Sequence, residues 1–251
     1  MKRGIPWGII VLLALWCLLS FPKLIDPLYL PTPVAVLREF WASVSSGLLP
    51  RHAAATVYRL VVGFSAGALV GIPVGLLMGY SKRVYSALEA LIEVLRAIPV
   101  IALFPLFLIF FGLGDRSKFI VAAWSSSLVI LINTMYGVQH SSTVRRMVAR
   151  SLKASEWQIF WKVVLPDALP EILVGLRTGV SIALIVVLMT EMFLGTQKGI
   201  GQMIYNAHLM YDTPTMYVGI IASGVVGYGL NLLLLTAQRK VIHWKGDFQN
   251  E

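Results

Sequence analysis

The sequence predicts an all-α fold: a polytopic membrane helical bundle of about six transmembrane helices. Three observations carry that expectation. The 251 residues are 57% hydrophobic and 13% charged, whereas a soluble domain carries about 25% charged residues. Six apolar runs, Ile5–Phe21, Leu60–Tyr80, Ala97–Leu113, Phe119–Val138, Ile172–Leu194 and Met216–Ala237, approach the ~20 residues that cross a bilayer as a helix. Ten-residue stretches of alternating polarity, the mark of a membrane barrel, are absent. Residues 1–251 therefore read as one transmembrane domain, with no soluble domain or low-complexity tail.

The first run follows Met1-Lys2-Arg3, a basic start that a signal peptide shares. No A-x-A pattern follows, so retention is expected. The next stretch, residues 22–58, reads as an external loop. Within it Leu37, Phe40, Trp41, Val44 and Leu48 recur at helical spacing, and Thr32-Pro33 suits an N-cap and first turn. A short amphipathic helix follows, resting on the membrane surface or on its own bundle; the pattern fits both. The second run carries Gly63, Gly67, Gly71, Gly75 and Gly79, one every four residues. Such a stripe lets helix backbones approach closely, within the bundle or at a subunit contact. Pro73 interrupts it and invites a kink.

The third run opens with Glu89, Glu93 and Arg96 on one face and then carries Pro99 and Pro105. Two prolines should bend or break it, and freed carbonyls are tolerated only against protein or a water-lined cavity. This helix is thus the expected wall of a pathway. The fourth carries Ser125, Ser126, Ser127, Asn133 and Thr134, which can bond across helices.

The net charge is +9, and its placement orients the chain. With the N-terminus in the cytoplasm, Lys2, Arg3, Lys82, Arg83, Arg145, Arg146, Arg150, Lys153, Lys162, Arg239, Lys240 and Lys245 lie inside. Lys23, Arg38, Arg51, Arg59, Arg116, Lys118 and Lys198 lie outside. Twelve against seven places both termini in the cytoplasm of a multi-pass cell-membrane protein. Basic charge here orients the chain in lipid, and no soluble basic domain suggests nucleic acid. The single Cys excludes an internal disulfide.

Ionisable residues inside membrane spans are costly and are functional hypotheses by default. Glu191, late in the fifth run, and Arg96, early in the third, are candidates for lining the route or for structural pairing. Arg177 reads as an interfacial residue whose head reaches cytosolic water. Pro99 and Asn133 complete the candidate pathway set. Catalysis finds no support. His52, His140, His208 and His243 are scattered without metal-like spacing, there is no G-x-S-x-G, and no Gly-Lys dipeptide permits a P-loop. No cofactor or metal is expected. Energy for active transport must come from another polypeptide or an ion gradient.

Between the fourth and fifth runs lies a long basic island, residues 139–170. It should form helix, tight turn and helix again before Pro166. Trp157, Phe160 and Trp161 stand among its basic residues. An exposed aromatic cluster suits a protein partner's pocket; an amphipathic linker on lipid headgroups is the competing reading.

The island resembles the cytoplasmic loop of ABC-importer permeases, the binding-protein-dependent transport inner-membrane component. Their pattern is E-A-A, three residues, G, nine residues, I-x-L-P. Here Met147-Val148-Ala149 stands for E-A-A, Lys153 for the glycine, and Val163-Val164-Leu165-Pro166 for the end. LPTPVAVL (Leu30–Leu37), the stretch Arg59–Gly79, Leu95–Lys118, Asn133-Thr134, LPDALPEILVGLR (Leu165–Arg177) and Glu191-Met192 with Gly199-Ile200-Gly201 are similar to one branch. That branch serves nitrate, taurine, alkanesulfonates and thiamine-pyrimidine precursors.

The resemblance implies five or six membrane helices, a homodimer, two ABC ATPase subunits below and an extracytoplasmic solute-binding protein above. It implies an ATPase-coupling helix at about Ala154–Phe160, with Lys153, Ala154, Ser155, Glu156, Trp157, Phe160 and Pro166 as coupling residues. Lys153 in the glycine position sets up a choice. A left-handed turn costs a non-glycine residue about 1 kcal/mol or more, so either the local backbone differs there or Lys153 contacts the partner. An ion-gradient-driven secondary transporter is the rival function. It would want several buried acidic ligands, and only Glu191 is clearly intramembrane.

Overall fold

The computed structural model describes residues 7–22 and 24–242. Lys2, Arg3, Lys23, Lys245 and His243 lie outside the described residues. Those described are mostly helical, with non-helical connections at 24–32 and 194–199. In order, the helices are α1 (Trp7–Ser20), α2 (Pro33–Ser45), α3 (Leu48–Tyr80), α4 (Lys82–Ala97), α5 (Phe104–Phe111), α6 (Asp115–Gln139), α7 (Thr143–Ser151), α8 (Glu156–Ile159), α9 (Leu165–Phe193), α10 (Ile200–Leu209) and α11 (Thr213–Val241). A 3-10 turn, Val100–Leu103, precedes α5, and a π turn, Phe160–Val164, joins α8 to α9.

Four helical stretches among the described residues are long and apolar enough to cross a membrane: Leu48–Tyr80, Asp115–Gln139, Glu156–Phe193 and Thr213–Lys240. A fifth is counted if Lys82–Ala97 and Val100–Phe111, bent by 89°, form one span. The apolar α1 is shorter. Among the described residues, five of the six expected runs thus overlap one helix each, and the third, Ala97–Leu113, is divided between the 3-10 turn and α5.

The contacts divide the chain into two compact units, Met1–Thr56 with Glu191–Val225 and Val57–Thr190 with Val226–Glu251. In the first, α2 starts where Thr32 Oγ1 accepts from the Ala35 N–H at 3.2 Å and Pro33 fills the first turn, a cap worth about 1 kcal/mol. Val36, Phe40 and Val44 of α2 meet Leu49, Met203, Val218 and Trp16, while Leu37 and Trp41 remain exposed. Helix α2 therefore packs on protein with one face and offers the other outward. Helix α3 begins at Leu48, earlier than the apolar run at Leu60. Pro50, Arg51, His52 and Arg59 lower its hydropathy but not its helicity, because a proline in the first turn lacks only an N–H that would go unpaired anyway.

In the second unit the glycine stripe of α3 lies against α6. A Cβ on Gly63 would stand 2.6 Å from the Ala122 Cβ, and one on Gly75 would stand 2.5 Å from the Leu131 carbonyl and 2.7 Å from the Thr134 Cβ. The stripe is a packing surface inside the chain. That close approach changes what the α6 hydroxyls do. Ser125, Ser126 and Ser127 donate to Val121, Ala122 and Trp124 carbonyls of their own helix rather than across helices as the sequence suggested. Leu60, Ala122, Val180, Ala183 and Val187 form one core, and Val138, Ile159, Val164, Ala168 and Ile172 another.

The third run breaks as expected. Ile98, held extended at ψ 119° before proline, ends α4. Pro99 opens the 3-10 turn, and Pro105 sits in the first turn of α5, where it needs no N–H.

Candidate functional site

The island forms a tethered knuckle in the second unit. Ser142 caps α7 by accepting from the Arg145 N–H, and α7 ends in a Schellman turn. There the Ala154 N–H donates to the Ala149 carbonyl at 3.0 Å and the Lys153 N–H to the Arg150 carbonyl at 2.9 Å. Lys153 sits at φ 57°. The left-handed turn is kept and a lysine bears it. Ser155 and Gln158 then form a reciprocal capping box that starts α8.

Three attachments fix the knuckle's direction. Ile159 is 1% exposed and packs with Val138, Val164 and Ala168. The Tyr80 hydroxyl donates to Glu156 Oε2 at 2.8 Å, and Arg150 Nε donates to Oε1 at 3.0 Å. That carboxylate pushes the Arg150 pKa further above its ordinary value, chiefly through the hydrogen bond. At the other end Arg145 pairs with Asp167 at 2.8 Å. Arg146 donates to the Val138 and Ser141 carbonyls, satisfying the end of α6.

What the anchors leave outward is apolar. Trp157 is 70% exposed, and Met147, Val148, Leu152 and Trp161 are exposed with it. Trp157 and Trp161 meet edge-on, with centroids 5.4 Å apart. Phe160 is different: it is half-buried, edge-on to Tyr80 at 5.3 Å and packed on the Ile159 core. Of the two aromatics picked from the sequence, Trp157 faces out and Phe160 turns in, with Trp161 taking the outward place. Ala154 packs inward, while Lys153, Ser155 and Glu156 stay exposed.

Pro166 does not end a helix. The Leu165 N–H reaches back five residues to the Phe160 carbonyl, so the wider π turn runs straight into α9. At the second position of α9, Pro166 follows a turn already re-registered, and its missing N–H and ring are accommodated.

Of the four expected pathway residues, Arg96, Pro99 and Asn133 belong to the second unit and Glu191 to the first. Arg96 is exposed on α4 and pairs with Glu93 at 3.2 Å. Pro99 is exposed at the break between α4 and α5. Asn133 faces the contact of α6 with α9 beside Gly175, and its Nδ2 donates to the Val129 carbonyl at 2.8 Å. Glu191 belongs to the first unit and is 0% exposed. Its Oε2 accepts from the Gly201 N–H at 2.9 Å and from Thr56 Oγ1 at 2.9 Å, and Thr56 in turn accepts from the Ile200 N–H at 2.8 Å. The carboxylate thus sits on the N-terminus of α10, where the helix dipole favours it. Gly199 packs directly on that carboxyl, and a Cβ there would overlap it. In this arrangement the Glu191 carboxylate ties α10 to Thr56 of α3. Among the described residues no three His, Cys, Asp or Glu side chains converge as a metal site.

Residues 71–243 match the family described as the binding-protein-dependent transport system inner membrane component. The chain belongs to that family. It is 34% identical over 244 residues to the taurine transport system permease protein of Escherichia coli (strain K12), covering 95% of this chain and 88% of that one. It is 33% identical over 239 residues to the putative aliphatic sulfonates transport permease protein of Bacillus subtilis (strain 168), covering 95% and 86%. An inward-facing structure of a methionine ABC transporter matches its fold with a TM-score of 0.67 at 20% identity, over 78% of this chain and 97% of that one.

The protein is thus a permease subunit of a binding-protein-dependent ABC transporter, a multi-pass inner-membrane component and not an enzyme. Membership in the family brings ATPase and solute-binding-protein partners and excludes the gradient-driven alternative. In this permease two features were hard to see in the sequence. The outward place of Leu152 and the inward turn of Phe160 are set by the phase of the Schellman and π turns. The burial of Glu191 depends on Thr56, 135 positions away in the chain.

Proposed function

We propose that this permease conducts small organic anions of the sulfonate class, with taurine included, as an importer. Two copies of the chain, each a single transmembrane domain, would stand over two ATPase subunits and receive solute from an extracytoplasmic binding protein. Both termini face the cytoplasm. The names of the two relatives support the solute class. The positive charge excess supports the orientation.

The observation that carries the coupling role is the knuckle itself. Large apolar side chains are exposed on a base made rigid by a capping box, a buried isoleucine and an ion pair. A flexible linker would not lock Trp157 outward, and an interface anchor must be preorganised. The ATPase groove receives Trp157, Trp161 and Leu152. Lys153, Ala154, Ser155 and Glu156 set their angle, Phe160 and Pro166 connect them to α9, and ATP binding biases two arrangements of the bundle by differential contact energy. Switching from 1:99 to 99:1 requires about 5.5 kcal/mol. Of the pathway set, we retain Pro99 and Asn133 as flexing points beside the route.

The test is retention of ATPase subunits by affinity-purified permease. Trp157→Ala should weaken docking by about 2 kcal/mol, about 30-fold in Kd, with membrane accumulation unchanged. Wild-type retention by Trp157→Ala, Trp161→Ala and the double variant would remove the knuckle from the interface.

A further inference from the structure

A cleft of about 320 Å³ opens on the second unit between α9 and α11, lined by Val174, Arg177, Thr178, Ser181 and Asn231. It carries a polar arrangement in the long helices that neither the knuckle nor the helix packing uses. Arg177 lies about 9 Å of helix rise beyond Glu171, inside an apolar span. Its Nε donates to Asn231 Oδ1 at 3.0 Å, and Nη1 reaches Gln238 Oε1 at 3.5 Å. Both partners are neutral amides. Among the described residues no carboxylate pairs with this guanidinium, and Nη2 makes no hydrogen bond.

A residue that merely snorkelled would send its charge to water. Here two side chains of α11 hold the guanidinium at the cleft. An intramembrane cation without an acidic partner is a poor structural device, because a charge out of water needs a counter-charge or a wet cavity. The rest of the lining is partly polar, as a wet cavity requires. Val174, Thr178, Ser181 and Ile185 form the exposed stripe of α9. The hydroxyls of Thr178 and Ser181 donate to carbonyls four residues back at 3.1 and 3.2 Å, bonds they can exchange for an incoming acceptor. A guanidinium fork flanked by two hydroxyls and an amide matches the three oxygens of a sulfonate. The volume suits a small ligand of that kind.

We propose that Arg177, with Thr178, Ser181 and Asn231, forms an anion-binding station for a small sulfonate within the membrane region. This rests on the reading of the permease as a sulfonate importer. Among the described residues, the cleft lining contains no carboxylate to oppose the anion.

The single native cysteine makes the test clean. In the assembled complex carrying Cys17→Ser and Ser181→Cys, the introduced thiol is labelled with sulfonatoethyl methanethiosulfonate or with its trimethylammonium analogue. Rates are normalised to those of each reagent with free thiol. The anionic reagent should win by about 10-fold, the local enrichment that a focused cationic site produces. Arg177→Gln should erase the preference, and excess methanesulfonate should slow labelling only when Arg177 is present. Absence of labelling by either reagent, or a preference unchanged by Arg177→Gln, would overturn the station. Loss of the preference in bilayers enriched in anionic lipid would assign the guanidinium to a headgroup and also overturn it. Thr178→Cys provides the same readout where Ser181→Cys does not assemble. Sulfonate uptake by the wild-type complex is measured in parallel. An anion preference without uptake would remove the importer reading and leave the station standing.

Discussion

Lys153 shows how one side chain can be wrong for its backbone and still be kept. The Schellman turn requires a left-handed residue to bring the Ala154 N–H back to Ala149. Glycine meets that requirement without strain, whereas lysine costs about 1 kcal/mol or more. Two neighbours offset the cost: the capping box after it and the Arg150–Glu156 pair across it. Lys153→Gly should therefore raise the unfolding free energy of the detergent-solubilised chain by up to about 1 kcal/mol, read from thermal melting. A melting point lowered by Lys153→Gly would show that the lysine side chain is itself a stabilising contact. The lysine at this position was plain in the sequence; that the left-handed turn survives it was not. Propensity names the cost of a left-handed lysine, while the hydrogen bonds closing around it decide whether the turn survives.

At the scale of helices, local chemistry was the legible part. Thr32-Pro33 marked the start of α2, and Pro99 marked the break between α4 and the turn leading to α5, because caps and prolines act within four residues of themselves. The glycine stripe was legible as a smooth face, and its partner α6 was not, since spacing shows that a face is small without saying what lies on it. Pro166 misled for the opposite reason. A proline stops an α-helix only when the preceding turn is α-wound, and the π turn of Phe160–Val164 removes that condition. Packing on the stripe can be tested directly. Gly75→Val would drive a branched side chain into the Leu131 carbonyl and Thr134. Overpacking of backbone, unlike that of a flexible side chain, has little relief, so a loss of about 3 kcal/mol or more is expected. The measurement is the amount of folded permease in membranes, with Gly8→Val, whose Cβ position is open, as the reference. Equal accumulation of the two variants would show that α3 and α6 separate without penalty.

For the whole molecule, the charge tally makes a claim that helix packing cannot make. Under the proposed topology, twelve basic residues against seven would turn the knuckle to the cytoplasm. Cysteines introduced at Lys153 and at Lys198 in the Cys17→Ser background should therefore behave oppositely. In intact cells an impermeant thiol reagent should modify position 198 and spare position 153, and inverted vesicles should reverse the pattern. Modification of both from the same side would break the topology. Composition thus reached as far as fold class, and charge supplies the orientation that this labelling tests. The anchoring of Glu191 at α10 and the cleft at Arg177 depend on residues that only folding brings side by side.

The π turn has a geometric consequence of its own. It adds one residue of winding to an otherwise unbroken 38-residue helix from Glu156 to Phe193. Each residue of an α-helix corresponds to about 100° of azimuth. Restoring ordinary winding by deleting a single position there would swing the tryptophan face about a quarter of a circle around the shaft. The surplus residue is what aims the knob at the far end of the rod, so the bearing of the contact is encoded in a miscount rather than in any one contact residue.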